Sequence, residues 1–113
     1  MAIDVSNTPD MYTIEITGTF TFNTNCAVRN TTDMDATGVA TYTSGESVNY
    51  DSKVKNGNHL WVSYLSSSGT RHYVPYANTD SGTYFGTDSN PVDPIESADS
   101  TGNTDTTGNG DLG

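Results

Sequence analysis

The strongest alternation of hydrophobic and polar positions lies between residues 12 and 22. Odd positions there hold threonines and one glutamate, and even positions hold Tyr12, Ile14, Ile16, Gly18, Phe20 and Phe22. A two-residue period places neighbouring side chains on opposite faces of a β-strand. The segment therefore predicts a long strand with one buried face and one solvated face. Gly18 interrupts the buried face and predicts a bend or a bulge.

The same pattern predicts further short strands at 47–55, 59–65, 70–76 and 83–87. Asn56-Gly57, between the first two of these, is a favoured two-residue hairpin turn. The polar segment 29–43 predicts a long loop. Because residues 12–87 show no sustained helical periodicity, the chain is predicted to be all-β, either a small barrel or a sandwich.

Composition divides the 113 residues into three parts. Residues 88–113 contain six acids, no base and no aromatic residue, which predicts a disordered acidic tail or linker. Residues 1–11 also lack a base and are expected to form a flexible N-terminal segment. The folded domain is therefore expected to span residues 12–87.

The formal net charge of −10, with only four Lys and Arg residues, restricts the possible partners. Nucleic-acid binding requires a basic stripe that this chain lacks, and the same shortage argues against docking on an anionic membrane. No apolar run approaches the ~18 residues of a membrane-spanning helix, and the N-terminus has no signal-peptide pattern. We therefore expect neither a nucleic-acid partner nor a membrane partner.

Catalytic and metal-binding arrangements find little support. Cys26 could pair with His59 or His72, but a nucleophilic cysteine needs an environment that lowers its pKa. Cys26 lies between a strand and a loop and is expected to be a buried thiol. His59 is expected to be solvated beside the hairpin turn, and a zinc site would lack a fourth ligand. We expect no enzyme activity, no metal and no cofactor.

An ordered set of residues resembles a known family. Val48, Tyr50-Asp51, Gly57, Trp61-Val62-Ser63-Tyr64, Arg71, Tyr73 and Pro75 fall within the segment GESVNYDSKVKNGNHLWVSYLSSSGTRHYVPYA. Gly18–Phe22 and Ala27–Arg29 upstream, and Tyr84-Phe85-Gly86-Thr87 downstream, extend the match. This set resembles the bacterial SH3-like domain (SH3b, cell-wall-targeting type) of phage endolysins and lysostaphin-like peptidoglycan hydrolases.

The resemblance implies a small SH3-like, partly open β-barrel that is not itself catalytic. It also implies recognition of peptidoglycan stem or cross-bridge peptides at the extracellular surface of Gram-positive bacteria. A lytic catalytic domain or subunit would be its partner in bacteriolysis. The alternative is a structural β-module of a phage virion or a bacterial surface protein.

The resemblance places the ligand groove between the long loop and the neighbouring strands. Arg29 would donate hydrogen bonds to peptide carbonyls or a carboxylate, although an ion pair with Asp33 or Asp51 is an alternative. Tyr73 would be a groove aromatic residue. The remaining expected ligand-binding positions, where the side chain is often smaller than in the family, are Ala27, Tyr50, Ser52, Val54 and Phe85. Their sizes predict a remodelled pocket rather than a simple polyglycine site.

Overall fold

A computed structural model describes residues 2–96, which form an all-β fold, as expected. These residues include no helix, and therefore none that could cross a membrane. The eight strands are β1 Tyr12–Phe22, β2 Cys26–Val28, β3 Ala40–Tyr42, β4 Ser47–Asn56, β5 His59–Leu65, β6 Arg71–Asn78, β7 Thr83–Tyr84 and β8 Gly86–Asp88.

The main sheet closes on itself through the last two strands. Its antiparallel order is β7-β6-β5-β4-β1-β8. Strand β7 pairs with β6 at one edge, and β8 pairs with β1 at the other edge. Only Phe85 separates β7 from β8, so residues 83–88 join both edges. The result is a small, nearly closed barrel, which agrees with the expected fold class.

Strand β1 follows the predicted alternation and contains the predicted bulge. Its odd-numbered side chains are the more exposed, and Phe20 and Phe22 are fully buried. The register with β4 shifts between Glu15 and Gly18. The extra residue in a bulge bends the strand and turns its side chains. The Tyr50 ring lies directly beneath Gly18, where a Cβ atom would overlap the phenol.

The segment 29–43 is not entirely a loop, because Ala40–Tyr42 forms β3 and pairs with β2 in a second, two-stranded sheet. Neither strand was predicted, since three residues are too few to show a period. The β2–β3 sheet stands against β6, where Arg29 and Tyr73 form an isolated antiparallel bridge. This bridge holds one end of the long loop against the barrel.

The hydrophobic core lies inside the barrel. Phe20 and Phe22 meet edge to face with ring centroids 4.9 Å apart, and the Phe20 ring is 5.4 Å from the Tyr76 ring. The rest of this buried cluster consists of Cys26, Val28, Val48, Tyr50, Leu60, Val62, Val74 and Ala77. Trp61 is also fully buried, but it points away from this cluster.

The folded part of the chain extends beyond the expected limits of 12–87. Lys53 is completely buried, and its ammonium group donates to Asp88 and to the carbonyls of Asn90 and Val92. The Glu96 amide donates to the buried hydroxyl of Thr8, over 2.8 Å. Residues 88–96 are therefore packed, because a buried ammonium group requires acceptors that the segment supplies. Residues 97–113, the remainder of the expected tail, lie outside the described residues.

Candidate functional site

An open groove of about 470 Å³ crosses the outer face of strands β1, β4, β5 and β6. Two rows of cross-strand neighbours form its floor. One row runs from Glu15 through Ser52 and Ser63 and ends at Tyr73, and the next row contributes Thr13 and Val54. We call this the groove; its lining residues are Met11, Thr13, Glu15, Asp51, Ser52, Val54, Ser63, Arg71 and Tyr73.

Arg71 lies over the serines of the groove floor. Its guanidinium group forms a two-pronged pair with Asp51, with Nη1–Oδ1 and Nη2–Oδ2 distances of 2.7 and 3.2 Å. Nη1 also donates to the Ser63 hydroxyl over 2.9 Å and to the Ser52 hydroxyl over 3.3 Å. Hydrogen bonds from Arg71 lower the pKa of Asp51, and the same pair raises the pKa of Arg71. The floor is therefore polar, with its central charge already paired.

Tyr73 forms a wall of the groove, and its backbone is bonded to Arg29. The Arg29 amide donates to the Tyr73 carbonyl over 2.9 Å, and the Tyr73 amide donates to the Arg29 carbonyl over 2.7 Å. The Tyr73 side chain is half-buried and lines the groove. A fixed, partly exposed aromatic ring suits the backbone of an extended peptide.

The Arg29 side chain points to the other side of this bridge. Its Nε donates to the Ala36 carbonyl over 3.0 Å, and Nη1 is 3.4 Å from the Ala27 carbonyl. Neither of the expected ion pairs, with Asp33 or Asp51, forms. Arg29, at the start of the long loop, therefore holds Ala36 in place by donating a hydrogen bond to its carbonyl.

Arg29 also lines a second depression of about 390 Å³, separate from the groove. We call this the loop pocket; it is lined by Thr24, Asn25, Cys26, Ala27, Arg29, Met34, Pro75 and Phe85. Burial raises the pKa of the Cys26 thiol to about 11. A neutral, buried thiol is a poor nucleophile.

Tyr50 reaches neither depression. It is 3% exposed, and its hydroxyl donates to Asp88 over 2.5 Å. Burial, together with the neighbouring Asp88, raises the pKa of its phenol. This bond ties Tyr50 to the last residue of β8.

The histidines occupy different environments. His59 is buried rather than solvated, with its ring centroid 6.2 Å from Trp61 and 6.4 Å from Phe85. The solvated position expected for it is therefore wrong. His72 lies within hydrogen-bond distance of Asn30, with Nδ1 and Oδ1 2.7 Å apart. Across residues 2–96, no group of His, Cys and acidic side chains is arranged to hold a metal ion.

The structure thus distributes the expected site residues over three places. Ser52, Val54 and Tyr73 line the groove, Ala27, Arg29 and Phe85 line the loop pocket, and Tyr50 is buried. Sequence reasoning did not select the other groove residues, Met11, Thr13, Glu15, Asp51, Ser63 and Arg71. The alternation in β1 carried a signal for two of them, because it placed Thr13 and Glu15 on the solvated face.

Comparison with known proteins gives consistent results. The family model described as the bacterial SH3 domain matches residues 12–76. The SH3b domain of lysostaphin, solved in a complex with P4-G5, is 28% identical, with a TM-score of 0.58 over 67% of this chain and 88% of that one. The crystal structure of Ly7917 is 37% identical, with a TM-score of 0.57 over 67% of this chain but 34% of that one.

The cell wall targeting domain of the hydrolase ALE-1 is 28% identical, with a TM-score of 0.57 over 67% of this chain and 83% of that domain. No curated protein sequence matches the chain significantly. The fold, the ordered motif and the matched span of residues 12–76 agree. The chain therefore belongs to the bacterial SH3 domain family, and its structure is similar to the SH3b domain of lysostaphin and the cell wall targeting domain of ALE-1.

Proposed function

We propose that this chain is a non-catalytic module that binds a stem or cross-bridge peptide of peptidoglycan in the groove. In this role it holds a peptidoglycan hydrolase, such as a phage endolysin or a bacteriocin, at the wall of a Gram-positive bacterium. Its place of action is the extracellular wall surface, and its partner is a lytic domain or subunit.

The observation that carries the proposal is the groove itself. It is open to solvent, Arg71 lies over the buried serines of its floor, and Tyr73 stands at its wall. An extended peptide has a narrow backbone with many amide groups, which suits an aromatic wall and a polar floor. The SH3b domain of lysostaphin, which has the same fold, was solved in a complex with P4-G5, and this supports a ligand-binding role for the fold.

The chemistry of the chain also favours binding over catalysis. The Cys26 thiol is neutral and buried, and the Arg71–Asp51 pair occupies the centre of the groove. Neither arrangement supplies an activated nucleophile or an unpaired general base. Affinity for a single peptide would then be modest, and the density of repeated sites on the wall would supply avidity.

The test is a pull-down with purified sacculi from Gram-positive bacteria of several cross-bridge types, stripped of teichoic acids. The full chain, fused to a fluorescent protein, should bind and should sort the sacculi by cross-bridge. Tyr73→Ala should weaken binding by about tenfold or more, as expected for a buried aromatic contact. Tyr84→Ala removes an exposed tyrosine outside the groove and is the matched control. Absence of binding to every sacculus would instead favour the structural β-module.

A further inference from the structure

Glu15 is the one acidic group of the groove whose charge is not compensated. The other two charged lining residues, Asp51 and Arg71, pair with each other. The carboxylate of Glu15 is exposed, and it receives no hydrogen bond and meets no cation within residues 2–96. The groove therefore carries a net charge of −1, located at its β1 side.

The distance between Glu15 and Tyr73 determines how long a peptide must be to contact both residues. Glu15 pairs with Ser52, Ser52 with Ser63, and Ser63 with Tyr73, so the four residues form one row across four strands. Three strand spacings of about 4.8 Å place Glu15 about 14 Å from Tyr73 along this row. An extended peptide rises about 3.3 Å per residue, so about four residues cover the same distance.

We propose that Glu15 binds the free ammonium group at the amino end of a cross-bridge peptide whose body lies on Tyr73. This inference rests on the proposed function and deepens it, because it names the state of the peptide that the groove prefers. A bridge that has not yet been cross-linked ends in a primary amine, which is charged at neutral pH. Cross-linking converts that amine into an amide and removes the charge.

The charges of the groove favour this ligand over an acidic one. Among residues 2–96, Arg71 is the only cation that lines the groove, and Asp51 already occupies it in two-pronged geometry. A carboxylate on the ligand would therefore have to displace Asp51 and would also face Glu15. An ammonium group meets Glu15 without displacing any pair. The preference is electrostatic and exposed to solvent, so it should be modest and sensitive to salt.

The experiment compares untreated sacculi with sacculi whose free amines have been N-acetylated. At low salt, acetylation should weaken binding of the full chain by about two- to fivefold, the range expected of an exposed ion pair. At about 0.5 M NaCl the difference should largely disappear. Glu15→Gln should weaken binding to untreated sacculi by the same factor, and acetylation should then have no further effect.

The matched control is Asp35→Asn, which makes the same charge change at an exposed acid outside the groove. It should keep the full response to acetylation. The inference is overturned if Glu15→Gln still responds to acetylation, or if Asp35→Asn weakens binding as much as Glu15→Gln does. It is also overturned if sacculi with directly linked stems, which have no bridge, show the same acetylation response. Failure of the wild type to bind any untreated sacculus would overturn the proposed function, and this inference with it.

Discussion

Lys53 donates a 2.6 Å hydrogen bond to Asp88 from a side chain that is completely buried. The same ammonium group donates to the carbonyls of Asn90 and Val92, over 2.9 and 2.6 Å. It also lies 5.1 and 5.2 Å from the ring centroids of Tyr50 and Tyr76. Asp88, the last residue of β8, and the described residues that follow it thus supply the anionic and carbonyl partners of a charge in the core. They are part of the domain for that reason.

Asp88→Ala should destabilise the domain by about 3–5 kcal/mol, because it leaves the buried Lys53 ammonium without its counter-ion. Urea unfolding followed by tryptophan fluorescence measures the change, since Trp61 is the single tryptophan of the chain. Asp10→Ala removes the partner of Lys55 in a more exposed pair and should cost much less. Equal losses for the two variants would contradict a structural role for the buried pair.

Closure of the barrel depends on a close approach at Gly86. A Cβ atom on Gly86 would overlap the Thr21 carbonyl and the Phe20 ring, and β1 and β8 pair at this point. Gly86→Ala should therefore separate the two strands and destabilise the domain more than Gly18→Ala does. At Gly18 the overlap is with the Tyr50 side chain rather than with backbone. Amide hydrogen exchange at Thr21 and Thr87, which pair across β1 and β8, measures the opening, and unchanged protection in Gly86→Ala would refute this explanation.

The stability of the domain should depend on pH through His59. Burial lowers the pKa of His59 below its ordinary value of about 6.5. The unfolded chain then binds the proton more readily than the folded one, so folding free energy is lost as the pH falls below that value. The loss should reach at most about 1.4 kcal/mol per pH unit. Asp51, whose pKa is lowered, contributes its own loss only at more acidic pH.

Urea unfolding at about pH 7.5 and about pH 5.5 measures this dependence. His59→Gln should reduce the change in unfolding free energy between these two pH values, whatever its effect on stability at the higher pH. His72→Gln, the same substitution at the other histidine of the chain, is the matched control. A wild-type slope in His59→Gln would show that another group is responsible.

The sequence predicted the barrel strands well because their signals are local. The alternation in β1 and the Asn56-Gly57 turn each depend on residues within a few positions. Strands β2 and β3 escaped prediction because they are short and are held by the Arg29–Tyr73 bridge, which joins residues 44 positions apart. The packing of segment 88–96 was not predicted for a related reason. Its composition is that of a linker, and its packing follows from the acceptors that it supplies to the distant, buried Lys53.

The candidate site was predictable only in part. Ser52 and Tyr73 line the groove and were selected because the family resemblance points to them. Glu15 and Arg71 were not selected, because their place depends on the β1–β4 register and on a side chain that crosses two strands. Tyr50 precedes Ser52 by two positions, so regular alternation would place it on the same face of β4 as Ser52 and Val54. Its ring is nevertheless buried, because it packs beneath Gly18 and bonds to Asp88.

Arg29 and Tyr73 are joined by backbone hydrogen bonds, yet their side chains line different depressions. We therefore expect substitutions of the two residues to affect wall binding differently. Arg29→Ala removes the hydrogen bond to the Ala36 carbonyl, so the long loop should loosen while the Tyr73 ring stays in the groove. Wall binding should fall less than in Tyr73→Ala. Faster hydrogen exchange of the Ala36 and Val39 amides should accompany the loss, because the first donates to the Asp33 carbonyl within the loop and the second to the Val28 carbonyl just before it.

Arg29→Lys is the informative companion variant, since it keeps the charge but not the planar set of donors. If Arg29 acts by holding the loop, Arg29→Lys should lose binding and loop protection together, in the same proportion as Arg29→Ala. A ligand contact would behave differently: Arg29→Ala would lose as much binding as Tyr73→Ala while the loop amides kept their wild-type exchange rates. The paired measurement therefore distinguishes a residue that shapes the groove from one that touches the peptide.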